Sequence, residues 1–141
     1  MSGVFIFGAG GQVGKELSTI IDGAESFAHS GQDKVVNIEN FAELETAFSG
    51  NPPEIVINAS AYTDVDGCEG SRERAFNTNA LAVGNIVKLC RKYSAKLYHI
   101  STDYVFDGKE AIIKRTQKVA YDLMIPWRLC KQFDHSINII H

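Results

Sequence analysis

Residues 4–14 read Val4-Phe5-Ile6-Phe7-Gly8-Ala9-Gly10-Gly11-Gln12-Val13-Gly14, and this stretch decides the fold class. Its first four residues are apolar without alternation, which is typical of a strand buried on both faces of a parallel sheet. Beyond the glycines, apolar residues recur at spacings of three and four, and this predicts a helix that ends near Gly23: Val13, Leu17, Ile20 and Ile21. A buried strand, a glycine-rich turn and an amphipathic helix in this order predict the start of a βαβ unit.

The rest of the chain continues the alternation of strand and helix. Residues 26–29 and 34–38 are weak strand candidates, 41–48 a helix closed by Gly50-Asn51-Pro52-Pro53, 54–58 a buried strand, 71–93 a long helix and 96–101 a further strand. Because helices of this length connect parallel strands, the pattern predicts an α/β protein with a Rossmann-type, doubly wound parallel sheet.

Length and composition exclude several classes of protein. The chain has 141 residues, a formal net charge of -3 and 45% hydrophobic residues, which suits one globular domain without a nucleic-acid partner. No apolar run approaches the roughly 20 residues of a membrane span, and the first residues lack the basic region of a signal peptide. The three cysteines, Cys68, Cys90 and Cys130, form no metal-ligand pattern. We therefore expect a cytoplasmic protein with reduced thiols, no metal and no membrane association.

The glycines fit a GxxGxxG pattern at Gly8, Gly11 and Gly14. A GxGxxG pattern fails, because Val13 stands where its third glycine would fall. Gly8 is expected to allow the turn, Gly11 to let a pyrophosphate approach the backbone, and Gly14 to let the helix pack closely on the strand. With the amides of the helix N-terminus, this predicts a dinucleotide site. The alternative is a simple glycine turn.

The choice between NAD and NADP depends on the end of the second strand. An acid there would favour the free ribose hydroxyl of NAD. None stands at His29-Ser30, so the sequence slightly favours NADP, with Lys34 as a candidate partner for the 2′-phosphate. Alternatively, Lys34 is a solvated surface lysine.

Two longer segments indicate a particular family more specifically than the glycine pattern does. They are residues 56–69, VINASAYTDVDGCE, and residues 99–108, HISTDYVFDG. Together with the glycine loop and residues 75–80, AFNTNA, they closely resemble the dTDP-4-dehydrorhamnose reductase family of extended short-chain dehydrogenases. The resemblance runs in order from about residue 3 to residue 108.

The resemblance implies reduction of the 4-keto group of a nucleotide-linked 6-deoxysugar, of the dTDP-4-dehydro-6-deoxymannose type, by NADPH or NADH, the last step to dTDP-L-rhamnose. It places Gly11, Gln12 and Val13 at the cofactor phosphates, Asn37 and Ile38 near the adenine, and Ala61, Tyr62 and Thr63 beside the cofactor. Asn37 departs from the family's usual Asp. Val65 and Asp103 match substrate-side positions, and Thr102 matches the hydroxyl residue of the catalytic set. Asn79 is expected to contact the backbone of a neighbouring strand, to support an active-site water, or to lie on the helix surface.

The resemblance also implies a proton-donating Tyr followed four residues later by a Lys. The residues four places after the five tyrosines are Asp66, Leu97, Thr102, Gly108 and Ile125, so the chain contains no such pair. We expect residues 1–108 to form the NAD(P)-binding domain and 109–141 to be a divergent tail of a truncated, weakly active or inactive reductase. An apolar patch around Trp127 makes a homodimer possible. The alternatives are a non-catalytic NADP-binding regulatory module, such as the family's methionine adenosyltransferase subunit, and, more weakly, an extended short-chain epimerase.

Overall fold

The structure, a computed structural model, describes residues 3–31, 34–63, 71–100 and 137–140. The strands are β1 (Val4–Phe7), β2 (Glu25–Ala28), β3 (Lys34–Val35), β4 (Ile55–Asn58), β5 (Lys96–Ile100) and β6 (Ile137–Ile140). The helices are α1 (Gln12–Ile20), α2 (Phe41–Gly50), α3 (Arg72–Phe76) and α4 (Ala82–Lys92), and a π-helical turn, Asn77–Leu81, joins the last two.

The described strands form one parallel sheet in the order β3-β2-β1-β4-β5-β6. The chain proceeds outward from β1 to β3, returns to β4 on the other side of β1, and continues to β6. Strand order therefore reverses between β1 and β4, which makes their carboxyl ends the switch point at which open α/β sheets bind ligands. The predicted Rossmann-type fold class is confirmed.

The hydrophobic core of the described residues lies between the sheet and helices α2 and α4. The alternation of strand side chains turns Phe5, Phe7 and Phe27 toward this face, where they meet Phe48 of α2 and residues of α4. The rings pack edge-on and stacked, with centroids 4.9 Å apart for Phe5–Phe27 and 5.2 Å apart for Phe7–Phe27. Burial of each such ring stabilises the fold by about 1.5–3 kcal/mol. This packing holds β1, β2 and α2 together and so supports the strand ends that form the switch point.

Three features differ from the sequence-based expectation. The predicted helix 71–93 is present as a continuous helical stretch over residues 72–92, but it contains the π-helical turn, and β3 stops at Val35 rather than extending to residue 38. Backbone pairing with β2 continues to Val36, whose N–H donates to the Ala28 carbonyl at 3.0 Å, and directly after it the side chain of Asn37 accepts a hydrogen bond from the Glu39 backbone N–H at 3.0 Å. The strand Ile137–Ile140 was not predicted; it pairs with β5 in parallel register.

No helix within the described ranges has the length and apolar character needed to cross a membrane.

Candidate functional site

The turn after β1 lies directly against the segment after β4. Gly8 adopts a φ of +88°, and a Cβ there would lie 2.6 Å from the carbonyl carbon of Ala59 and from the backbone nitrogen of Ser60. The Ala59 N–H donates to the Phe7 carbonyl at 2.9 Å. Only glycine allows both the backbone conformation and this contact, so Gly8 joins the two loops at the switch point.

The start of α1 is open to solvent. Gly11 is its N-cap in extended conformation, no side chain caps the first turn, and the first turn holds no acid. A Cβ on Gly11 would meet only the Gly8 carbonyl oxygen, at 3.4 Å, while Gln12 and Val13 are exposed. The unpaired amides and the helix dipole at this end favour an anionic group.

Gly14 keeps α1 close to the turn. A Cβ there would lie 2.1 Å from the Gly8 carbonyl oxygen and 2.8 Å from the Cα of Ala9. The close approach expected at Gly14 is therefore present, and at this residue it is made to the turn just beyond β1.

The π-helical turn holds the loop after β4. The side-chain oxygen of Asn79 accepts from the Tyr62 N–H at 2.7 Å, and its NH₂ group donates to the Tyr62 carbonyl at 3.1 Å. Arg74 of α3 places its guanidinium 5.0 Å from the centroid of the half-buried Tyr62 ring. Ala61 and Thr63 on either side are exposed. The expected contact of Asn79 with a neighbouring strand is not found among the described residues; Asn79 instead contacts the backbone of the loop that follows β4.

The loop after β3 is attached to the same turn. Thr78 donates a hydrogen bond from its hydroxyl to the Glu39 carboxylate. Asn37 uses its side-chain oxygen within its own turn, and its backbone N–H donates to Glu43 at 2.8 Å. Ile38 is buried in the main hydrophobic core. Asn37 is half-buried, whereas the Ile38 side chain is buried.

Lys34 does not face the predicted ribose position. Its Nζ lies 2.6 Å from Oε2 of Glu25, at the amino end of β2, whereas nucleotide riboses bind at the carboxyl end. Lys34 is paired in register with Phe27, and its side chain reaches the Glu25 carboxylate two residues earlier on β2. The ion pair does not support the predicted role for Lys34 at a 2′-phosphate.

A buried polar pair lies beneath the switch point and was not anticipated from the sequence. Asn58 at the end of β4 and His99 on β5 are partners in the strand register, with Nδ2 and Nδ1 3.1 Å apart. Asn58 is 0% and His99 8% exposed. A polar residue closing the apolar run Ile55-Val56-Ile57 was the available signal for Asn58. The predicted substrate-side and catalytic residues Val65, Thr102 and Asp103 lie outside the described residues.

These features define a Rossmann-type domain with its strand-end loops assembled at the switch point. The sequence profile of the RmlD substrate binding domain family matches residues 1–122, and the chain belongs to this family. The match extends beyond Gly108, where the resemblance drawn from the sequence ended.

Similar proteins include spore coat polysaccharide biosynthesis protein SpsK of Bacillus subtilis (strain 168), 35% identical over 109 residues, which covers 77% of this chain and 38% of the relative. A dTDP-4-dehydrorhamnose reductase of Mycobacterium tuberculosis (strain CDC 1551 / Oshkosh) is 37% identical over 109 residues, with 73% of this chain and 33% of the relative covered. The chain thus spans about a third of the length of these curated relatives.

Solved structures give the same assignment. A dTDP-4-dehydrorhamnose reductase from Bacillus anthracis str. Ames, solved in complex with NADP, matches with a TM-score of 0.87 and 27% identity over 99% of this chain and 52% of that one. A hypothetical dTDP-4-dehydrorhamnose reductase from Sulfolobus tokodaii matches with a TM-score of 0.83 and 32% identity, covering 99% of this chain and 54% of that one.

Proposed function

We propose that the chain binds NADP(H) at the turn between β1 and α1 and forms the cofactor-binding part of an oxidoreductase that reduces a nucleotide-linked 4-keto-6-deoxysugar. The observation that carries the proposal is the contact of Gly8 with the Ala59–Ser60 peptide, which sets the uncapped start of α1 at the switch point. The relatives named dTDP-4-dehydrorhamnose reductase and the NADP-bound structure from Bacillus anthracis support it.

The residues present fit a dinucleotide phosphate. Gly11 leaves space at the helix start, and the first turn of α1 carries no carboxylate to repel a diphosphate. The amides of this turn would bind the phosphate oxygens, and Ala61, Tyr62 and Thr63 would lie alongside the rest of the cofactor. When bound, the nicotinamide supplies a hydride to the substrate carbon. NADP is favoured over NAD because no acid follows β2 at His29 and Ser30.

The proton required by ketone reduction needs a separate donor. None of the five tyrosines has a Lys four residues later, so the 141-residue chain lacks the pair that the family resemblance implies. We infer that this chain, tested alone, binds cofactor but shows little or no turnover. Val65, Thr102 and Asp103 remain proposed substrate-side residues, and a cytoplasmic location and a homodimer remain predictions.

Calorimetric titration with NADPH tests the binding proposal. Gly11→Val places a branched side chain at the start of α1 and is expected to weaken NADPH binding at least about tenfold by keeping the phosphates away. Gly50→Ala is the matched control, because a Cβ at Gly50 meets nothing within 4 Å and lies at the far end of α2. Equal affinity of the wild type and Gly11→Val would contradict the proposal.

An assay with dTDP-4-keto-6-deoxymannose and NADPH tests the catalytic part. We expect bound NADPH with almost no oxidation, since no Tyr-Lys pair is available to deliver the proton. Turnover by the 141-residue chain at a rate typical of enzymes, about 1–1000 per second, would overturn this inference.

A further inference from the structure

We propose that His99 is a positioning residue for the cofactor: its neutral imidazole, acting through Asn58, sets the Ala59–Ser60 peptide on which the Gly8 turn packs. The inference rests on the proposed function, because it concerns the same turn. His99 itself lies on β5 and is not placed against the start of α1.

The Asn58 amide is held from both ends. Its Oδ1 accepts hydrogen bonds from the Ser60 N–H, at 3.1 Å, and from the Ser60 hydroxyl. Its Nδ2 lies 3.1 Å from Nδ1 of His99. Since Asn58 is completely buried, no water replaces a lost partner, and an unpaired amide group there would be costly.

The same contacts assign the proton of His99. A backbone N–H can only donate, so the Asn58 oxygen must face Ser60 and the NH₂ group must face the imidazole. The Nδ1 atom of His99 therefore accepts, and the ring carries its proton on Nε2. A protonated ring would place two donors against each other.

The orientation of the Ala59–Ser60 peptide affects the turn after β1, because Gly8 of that turn lies close to it. The Cβ position of Gly8 is 2.6 Å from both the Ala59 carbonyl carbon and the Ser60 nitrogen, so a small rotation of this peptide displaces the turn. This turn also fixes the position of the first residues of α1, because the Gly11 N–H donates a hydrogen bond to the Gly8 carbonyl at 3.0 Å. Hydrogen bonds thus connect His99 through Asn58 to Ser60, and close packing of the Ala59–Ser60 peptide on Gly8 connects them to the proposed phosphate-binding turn.

Two substitutions at position 99 separate positioning from packing. Asn offers a side-chain oxygen close to the place of Nδ1, whereas Leu fills the volume but offers no acceptor. If His99 only packs, His99→Leu should bind NADPH as the wild type does and the smaller His99→Asn should be impaired. Positioning predicts the reverse: His99→Asn within about twofold of the wild type, and His99→Leu about tenfold weaker.

The tautomer is read directly from the ¹⁵N spectrum of the histidine ring in the wild-type chain at neutral pH, which requires no substitution. We expect an unprotonated Nδ1 in the wild type and a protonated Nδ1 in Asn58→Asp, whose carboxylate oxygen needs a donor opposite it. A protonated Nδ1 in the wild type, or unchanged NADPH affinity in His99→Leu, would overturn the inference. If the wild type shows the predicted tautomer but binds neither NADPH nor NADH, the proposed function fails and the positioning role fails with it.

Discussion

The Asn79 side chain pairs with both backbone polar groups of Tyr62, accepting from the N–H at 2.7 Å and donating to the carbonyl at 3.1 Å. An antiparallel strand partner would make the same two bonds to one residue, so a single side chain satisfies both backbone groups of Tyr62 beyond the end of β4. Asn79 lies in the π-helical turn, which interrupts the regular succession of helical side chains at this point. The loop that carries Ala61, Tyr62 and Thr63 is thereby attached to the helical layer.

Asn79→Ala should therefore lower the free energy of unfolding by about 1–3 kcal/mol and weaken NADPH binding. Asn85→Ala is the control, since Asn85 is half-buried on α4 and its side chain makes no hydrogen bond to another described residue. Both changes alter helix propensity equally. Urea unfolding and NADPH titration measure the two effects. Equal losses in the two variants would show that the Tyr62 contacts do not matter.

Gly14→Ala should destabilise the chain strongly even though alanine favours helices. The added Cβ would lie 2.1 Å from the Gly8 carbonyl oxygen, which is backbone and cannot move aside without disrupting the turn. Overpacking of this kind costs about 1–3 kcal/mol or more. Gly50→Ala, with nothing within 4 Å of its Cβ, should leave the unfolding midpoint almost unchanged. Comparable midpoints for both variants would contradict the close packing.

Glu25 should contribute to stability in a pH-dependent way. Hydrogen bonds from Lys34, at 2.6 Å, and from Asn51, at 2.5 Å, hold the pKa of this carboxyl below its ordinary value of 4.5. Because the pKa is lower in the folded chain than in the unfolded one, the contribution is complete above about pH 4.5 and is lost as the pH falls through the folded pKa. The ion pair is partly exposed, so its contribution at neutral pH is below about 1 kcal/mol.

The measurement is the free energy of unfolding against pH for the wild type, Glu25→Gln and Glu16→Gln, an exposed carboxylate on α1. The difference between the wild type and Glu25→Gln should shrink on acidification. A difference that is constant from neutral to acidic pH would remove the electrostatic explanation.

Cys90 should be inert in the folded chain. Burial on α4 raises the pKa of its thiol to about 12, so almost no thiolate exists at neutral pH. Alkylation with iodoacetamide, followed by peptide mass spectrometry to separate Cys90 from Cys68 and Cys130, should label Cys90 only after denaturation. Rapid labelling of Cys90 under native conditions would mean that α4 opens readily.

The strands at the switch point could be predicted because β1 and β4 are short, wholly apolar runs next to glycine or polar breaks. The π-helical turn could not be predicted. One extra residue shifts the apolar pattern of a helix by less than one turn, and Asn77-Thr78-Asn79 contributes no apolar residue that would reveal the shift. The strand β6 follows a stretch without clear period, and its four residues are too few to stand out.

Contacts between polar side chains that are distant in sequence could not be predicted either. Asn58 and His99 are 41 residues apart, and only the pairing of β4 with β5 brings them into contact. Lys34 illustrates the opposite case: its position in sequence suggested a phosphate ligand, but the register of β3 on β2 directs it to Glu25. The glycines, by contrast, could be assigned from spacing, because the turn they form is local.

The proposed function depends on binding of the diphosphate of a nicotinamide cofactor by backbone amides at the start of α1. Titration of the ¹⁵N-labelled chain with NADPH, followed through its amide spectrum, tests this residue by residue. We expect saturable binding with the largest shifts at Gly10, Gly11 and Gln12, together with Tyr62. No binding, or binding that leaves these amides unshifted, would contradict it.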